Sequence, residues 1–430
     1  MTPRRSLALV LTLGAMLAPG AHAGVPLQPY VVVLKDSVPN PGAVAAEEGA
    51  IFGFQPSGVY RTALKGFAAS LSPTAIAALR DDSRVAFMSP DQVFTAAGKP
   101  SGSGGSGGGV GAMLPTGVNR VEADSSSTLA GNGSGSVSVP VAVIDSGSTH
   151  PDLNVVGGKA CVPKSTSYTD GNGHGTHVAG TLAAKDDATG VVGVAPGAPL
   201  WSVRVLGNAG TGTTSSVLCG VDWVTANATT KGIKVANMSI AGLGADDGNC
   251  GRTNGDALHL AICNSVARGI TYVVGAGNDG RSLAGTIPAS YDEVLTVTGM
   301  ADFNGQPGGG AASTCTSEVD DTPDHLSNFA DPWGADAAHT LAAPSICIYS
   351  TYKGGGYTTM SGTSMAAPHA SGTVALCIAR GSCGGLGPAQ IISRLRSDAS
   401  ARPSSYGFTG DPNSPMNGRV YGPLVYAGGY

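Results

Sequence analysis

Three separate segments of the chain carry side chains that could act together as nucleophile, base and orienting acid. Ser364 stands among small residues in Ser361-Gly362-Thr363-Ser364-Met365-Ala366-Ala367-Pro368-His369, a turn that opens an apolar helical stretch, so it is presented rather than packed. His174 stands at a glycine-lined helix start, Gly173-His174-Gly175-Thr176-His177-Val178-Ala179-Gly180, and Asp145 closes the buried-strand run Val141-Ala142-Val143-Ile144-Asp145. A serine hydroxyl is a poor nucleophile until an imidazole takes its proton, and a buried carboxylate fixes that imidazole's tautomer. The chemistry these residues could perform is acyl transfer through Ser364, with His174 as base and Asp145 as its orienter.

Such groups must be brought together by the elements between them. From Pro115 onward the apolar runs 139–144, 200–205, 235–240, 270–274 and 294–297 are interleaved with longer helical patterns. That alternation predicts an α/β domain with a mostly parallel sheet covered on both faces. Catalytic and binding residues would gather at strand C-termini, where Asp145 and Asn278 both stand. Residues 30–94 read differently: strand signals at 30–34, 59–71 and 85–88 alternate with helical runs at 43–50 and 73–80, which predicts a small α+β unit.

Composition narrows the function further. With 430 residues there is room for one large domain and a small one, and a net charge of -5 with only 12% charged residues argues against nucleic acid as a partner. Residues 1–23 read as an export signal: Arg4 and Arg5, an apolar run 7–17 too short to span a bilayer, and the small-residue site Ala21-His22-Ala23. Export permits disulfides, and all eight cysteines (161, 219, 250, 263, 315, 347, 377 and 383) fall after the first small unit. Eight cysteines allow 105 pairings, of which the short loops 250 to 263 and 377 to 383 are the expected local ones. Between the two units, residues 96–113 include Lys99-Pro100-Ser101-Gly102-Ser103-Gly104-Gly105-Ser106-Gly107-Gly108-Gly109, an exposed linker in composition and a natural place for proteolytic maturation.

The segments VAVIDSG, GHGTHVAG and SGTSMAAPH, in the chain order Asp, His, Ser, together with NMSIAGLG at 237–244 and GAGNDG at 275–280, resemble the subtilase family of serine proteases. The likeness spans about residues 115–398. It implies a three-layer subtilisin-like fold at 114–430 and a ferredoxin-like inhibitory propeptide at 24–95, although a permanent accessory domain would read the same way. It also implies a secreted, monomeric endopeptidase acting on proteins and peptides, without membrane or nucleic-acid partners, with Asn278 as an oxyanion donor beside the Ser364 backbone N–H.

The same resemblance implies that extended substrate adds as a strand between Gly210-Thr211-Gly212 and Ser239-Ile240-Ala241-Gly242. It places Asp279 at the mouth of the pocket for the residue preceding the scissile bond, where a carboxylate could favour a basic side chain. Calcium is implied by Asp152 and Asp187 as side-chain ligands with the carbonyls of Lys185, Thr189 and Val191, Lys185 lying eleven residues beyond His174. The connection from Asp145 to Asp152 is two residues shorter than is usual in that pattern. A secreted binding protein that keeps such a fold without turnover, or a ligase that passes the acyl group to an amine, would share much of this sequence. The intact triad and Asn278 disfavour the first, and product identity separates the second.

Overall fold

The computed structural model describes residues 26–100 and 112–430; the export signal read at 1–23 and the glycine-rich run 101–111 lie outside the described residues. The N-terminal unit is built from β1 (Gln28–Leu34), α1 (Pro41–Phe52), β2 (Pro56–Tyr60), β3 (Gly66–Leu71), α2 (Pro73–Asp81) and β4 (Val85–Pro90). Both helices start where the chain dictates: Asn40 and Ser72 accept the backbone N–H groups of Ala43 and Ala75, and each is followed by proline. The four strands pair antiparallel in the order β2-β3-β1-β4, a ferredoxin-like sheet. The single strand signal read over 59–71 is two strands, because residues 61–63 turn onto Asp222 of the larger domain.

Beyond β4 the chain continues as β5 (Val93–Ala96) and β6 (Lys99–Pro100), so Ala96, Lys99 and Pro100, read as part of a loose linker, are held in strands, with a bend at residues 97–98 between them. The larger domain then follows with α3 (Thr116–Arg120), β7 (Val141–Asp145), β8 (Val155–Ala160), α4 (His174–Ala183), β9 (Leu200–Arg204), β10 (Thr211–Thr213) and α5 (Thr214–Asn227). Next come β11 (Val235–Met238), β12 (Ile240–Leu243), α6 (Ala257–Val266), β13 (Thr271–Gly275), β14 (Thr286–Ile287), β15 (Leu295–Ala301), β16 (Thr322–Pro323) and β17 (Thr340–Pro344). The hairpin β18 (Ile348–Tyr352) and β19 (Gly356–Ser361) leads into α7 (Thr363–Arg380) and α8 (Pro388–Ser400).

An eight-stranded sheet, β16-β15-β13-β11-β7-β9-β8 with β17 also paired to β15, forms the middle layer, parallel except at β16. Its strands are apolar on both faces because both are covered. Val141 and Val143 pack with residues of α4, α7 and α8, whereas Ala142 and Ile144 pack with residues of α5 and α6. Val31, Val33, Tyr60 and Leu64 of the N-terminal unit belong to the second of these clusters, so that unit sits over α5 and α6. The run 235–240 breaks at Ser239, where the chain leaves the central sheet and β12 pairs instead with β5 and β14.

Four disulfides staple the larger domain: Cys161–Cys219, Cys250–Cys263, Cys315–Cys347 and Cys377–Cys383. The two local loops expected from spacing are among them. The C-terminal tail clasps the domain. Ala427 donates its N–H to Val121 beside α3, the buried Tyr430 hydroxyl donates to Asp398 of α8, and Tyr406 packs over Arg120, whose guanidinium bonds Asp321 at 2.9 Å.

Candidate active site

Asp145 ends β7, and His174 begins α4, so a strand end and a helix start aim the two groups at each other. His174 Nδ1 lies 2.8 and 3.0 Å from the two Asp145 oxygens, and both residues are buried. The approach is as close as it is because residue 175 is glycine. A Cβ there would lie 2.2 Å from the Gly147 carbonyl and 3.0 Å from Asp145 Oδ1. The helix start is itself anchored by Asp170, which accepts the N–H groups of Asn172, Gly173 and Thr176 and the hydroxyls of Ser146 and Thr176. Sequence reasoning missed Asp170. No local signal marked it, because it stands ahead of the N-cap position, which Gly173 holds.

Ser364 sits in the first turn of α7. Pro368, four residues on, lacks the N–H that would bond the Ser364 carbonyl, and the Ser239 hydroxyl takes its place at 2.9 Å. Ser239 is held in turn by Asn237, and Asn237 by Ser371, so a buried polar chain ties α7 to the end of β11. The Ser364 hydroxyl donates to the Ser239 carbonyl at 3.0 Å, and His174 Nε2 is buried without a hydrogen-bond partner. Serine and imidazole therefore share the site without bonding each other.

The chain's own segment occupies this site. β5 lies between β10 and β12, pairing Thr95 with Thr211 and Ala241, Phe94 with Gly212, and Ala96 with Ile240. Ala96 N–H donates to the Gly210 carbonyl and Ala97 N–H to that of Ser239. Gly242 pairs with Ile287 instead, and its lack of a side chain admits the Phe94 ring, which a Cβ would meet at 2.8 Å. Past the bend, Lys99 and Pro100 pair with Ser361 and Met360 on β19.

At the bend the Ala97 carbonyl accepts the Ser364 backbone N–H at 3.1 Å and a short hydrogen bond from Asn278 Nδ2. Asn278 is oriented by accepting the Thr363 N–H through its own oxygen, while the Thr363 hydroxyl accepts the Gly277 N–H. Gly362 (φ +130°) makes room, since a Cβ there would meet the Ala97 oxygen at 2.7 Å. A Cβ on Gly98 would stand 3.1 Å from Ser364 Cβ and 3.2 Å from His174 Nε2, so residue 98 lies directly over these two side chains.

A cavity of about 390 Å³ flanks Ala97 and Gly98, lined by Asn278, Asp279, Glu318, His325 and Ser361 among others. Asp279 is largely exposed and pairs with Arg281 at 3.3 Å. A larger cavity of about 660 Å³ lies between the N-terminal unit and α5 and is lined by none of the triad.

The residues considered for calcium are adjacent despite the short connection from Asp145. Asp152 Oδ2 accepts the Val191 N–H at 3.1 Å and the Tyr357 hydroxyl at 3.2 Å, and the Lys185 N–H donates to the Asp152 carbonyl. Asp187 is exposed, and one oxygen accepts both the N–H and the hydroxyl of Thr189. Asp152 Oδ1 is buried with no partner, and burial pushes this carboxyl up to about 6. An orphaned buried carboxylate oxygen beside a second acid is a donor set that fits a hard cation. His177 and His369 are fully buried, and burial lowers them to about 3 and about 4, so both are neutral packing groups.

The model of the subtilase family matches residues 136–411 of this chain. Subtilisin DY of Bacillus licheniformis is 37% identical over 291 residues, covering 66% of this chain and 91% of the relative. Subtilisin Savinase of Lederbergia lenta is 39% identical over 266 residues, covering 61% and 83%. Among solved structures, a cold adapted subtilisin-like serine proteinase is 31% identical with a TM-score of 0.51, covering 67% of this chain and 88% of that one.

Proposed function

The chain belongs to the subtilase family and is a serine endopeptidase, and from that premise we propose that it is made as an exported zymogen whose Ser364 cuts its own peptide bond between Ala97 and Gly98. The observation that carries this reading is the placement of one carbonyl: Ala97 O accepts from both the Ser364 N–H and Asn278, while Gly98 lies against Ser364 and His174. Ser364 Oγ attacks the Ala97 carbonyl carbon as His174 Nε2 takes the hydroxyl proton, and Asp145 stabilises the imidazolium. Negative charge gathers on the Ala97 oxygen, where the two donors already point. His174 returns the proton to the Gly98 nitrogen as the bond breaks, and water then hydrolyses the acyl-enzyme.

The same strand addition serves protein and peptide substrates in trans, with Gly210, Thr211, Gly212, Ser239, Ile240 and Ala241 pairing the backbone and Gly242 opening the pocket that Phe94 fills. After self-cleavage the unit ending at Ala97 remains as an inhibitor until it is released, and the mature enzyme acts outside the cell as a monomer. Asp152 and Asp187, with the carbonyls of Lys185, Thr189 and Val191, would hold a calcium ion, which when bound supplies a structural cross-link. An alanine at the cut position and the Asp279–Arg281 pair favour small residues over basic ones before the scissile bond.

Mass spectrometry of secreted wild type beside Ser364→Ala tests the reading. Wild type should release a fragment ending at Ala97, and the variant should stay uncut. Processing that persists in Ser364→Ala, or a released fragment with another end, overturns it.

A further inference from the structure

His259, on α6, belongs to no part of the proteolytic machinery, yet its surroundings are built like those of a ligand. The ring is fully buried and stacks face to face on Tyr291, with centroids 4.0 Å apart and planes 2° from parallel. Nε2 lies 2.9 Å from Glu293 Oε2, which fixes the ring as an N–H donor on that side. The other nitrogen, Nδ1, is buried and makes no hydrogen bond. It faces Asp247 Oδ1 at 3.6 Å and Asp246 Oδ1 at 3.9 Å, and the three atoms lie within 4.8 Å of one another.

Nδ1 faces two carboxylate oxygens that both stand beyond hydrogen-bond distance, which leaves a place for a cation between the three atoms. A proton on Nδ1 would be shared through a charged hydrogen bond of about 2.7–2.9 Å, well short of the separations found. A four-coordinate cation with bonds of about 2.0–2.1 Å holds its ligands about 3.4 Å apart, so His259 Nδ1 needs to approach the two oxygens by only a few tenths of an ångström, while the two oxygens themselves lie within 4.8 Å of each other. Glu293 behind the ring completes the carboxylate–histidine arrangement that orients a ligating imidazole and raises its basicity.

The loop is also prepared for the purpose. Asp247 is gripped by the N–H groups of Asn249, Gly251, Thr253 and Asn254, and the Cys250–Cys263 disulfide ties the loop to α6 one turn beyond His259.

We propose that Asp246, Asp247 and His259 bind a divalent zinc-like cation, with Glu293 positioning the imidazole. One nitrogen and two oxygens with a fourth place for water suit zinc; calcium prefers six to eight oxygens. The site shares no residue with the triad or with the Asp152 loop.

The test uses the untagged full chain carrying Ser364→Ala, stripped of metal, in which Gly98 still covers His174. Zinc titrated calorimetrically, with bound metal counted by mass spectrometry after gel filtration, should show one equivalent bound and a raised melting temperature. That equivalent should vanish in His259→Gln and in Asp246→Asn, and Glu293→Gln should weaken it roughly 10–100-fold. Calcium at the same concentration should not replace it at this site. If His259→Gln fails to fold, Asp246→Asn at the more accessible ligand decides alone. No zinc on the parent, or the same stoichiometry and affinity in parent and variants, overturns the proposal.

Discussion

Replacing Asp222 by alanine should shorten the delay between self-cleavage and full activity without changing the mature enzyme. Asp222, on α5, is far in sequence from the triad, but one of its oxygens accepts the N–H groups of Thr62 at 2.6 Å, Ala63 at 2.8 Å and Arg61 at 3.2 Å. Alongside it Asn264 donates to the Ala63 carbonyl at 2.7 Å, and Tyr60 donates its hydroxyl to the Ser215 carbonyl at 2.9 Å. A hydrogen bond to a charged group contributes about 1.5–3 kcal/mol, and three bonds sharing one carboxylate are not additive. Taking about 3 kcal/mol for the set gives roughly a 10²-fold faster release of the N-terminal unit. The assay follows hydrolysis of a small peptide substrate after cleavage at Ala97 is complete by mass. Parent and Asp222→Ala should yield the same fragments and, once the delay is over, the same kcat/KM. An unchanged delay, or a kcat/KM that falls with it, refutes the argument that this contact holds the inhibitor in place.

Asn278→Ala removes one of the two donors on the Ala97 carbonyl and should lower kcat about 10²–10³-fold with little change in KM, a magnitude that comes from subtilisin itself; steady-state kinetics on a peptide substrate check it. His177 and His369 are lowered by burial to about 3 and about 4 from an ordinary 6.5. Each therefore contributes stability that is complete above pH 6.5 and lost toward acid at about 1.4 kcal/mol per pH unit, or roughly 4 kcal/mol for the pair between pH 7 and pH 5. Buried acids such as Asp302, raised by burial to about 7, act in the opposite sense. The clean readout is thus a flatter denaturation-versus-pH curve for His177→Gln than for the Ser364→Ala parent. Chelation of calcium should lower the melting temperature of that parent, and Asp152→Asn should abolish the difference between chelated and calcium-loaded protein.

Much of the candidate site could be read locally, because each functional group stands at an element boundary that its neighbours write into the chain. A run of apolar residues ending in Asp145, glycines around His174 and small residues before Ser364 are statements about strand ends and helix starts that need no distant partner. The two short disulfide loops were legible for the same reason. Cys161–Cys219 and Cys315–Cys347 were not, since their partners meet only after the sheet has formed. Asp170 was overlooked because its partners include the hydroxyl of Ser146, twenty-four residues away. The run 235–240 read as one strand because apolarity alone does not reveal that Ser239 is drawn out of the sheet by the carbonyl that Pro368 leaves free.

The order of residues along the chain thus specified the reactive groups, the elements that carry them and a separate N-terminal unit. Which peptide bond lies under the nucleophile came from the folded molecule alone. Register in a ladder between β5, β10 and β12 depends on where the N-terminal unit rests on α5 and α6 and on where α7 presents the Ser364 N–H. Those positions are sums of packing and hydrogen bonds between segments more than a hundred residues apart, and no local periodicity encodes them.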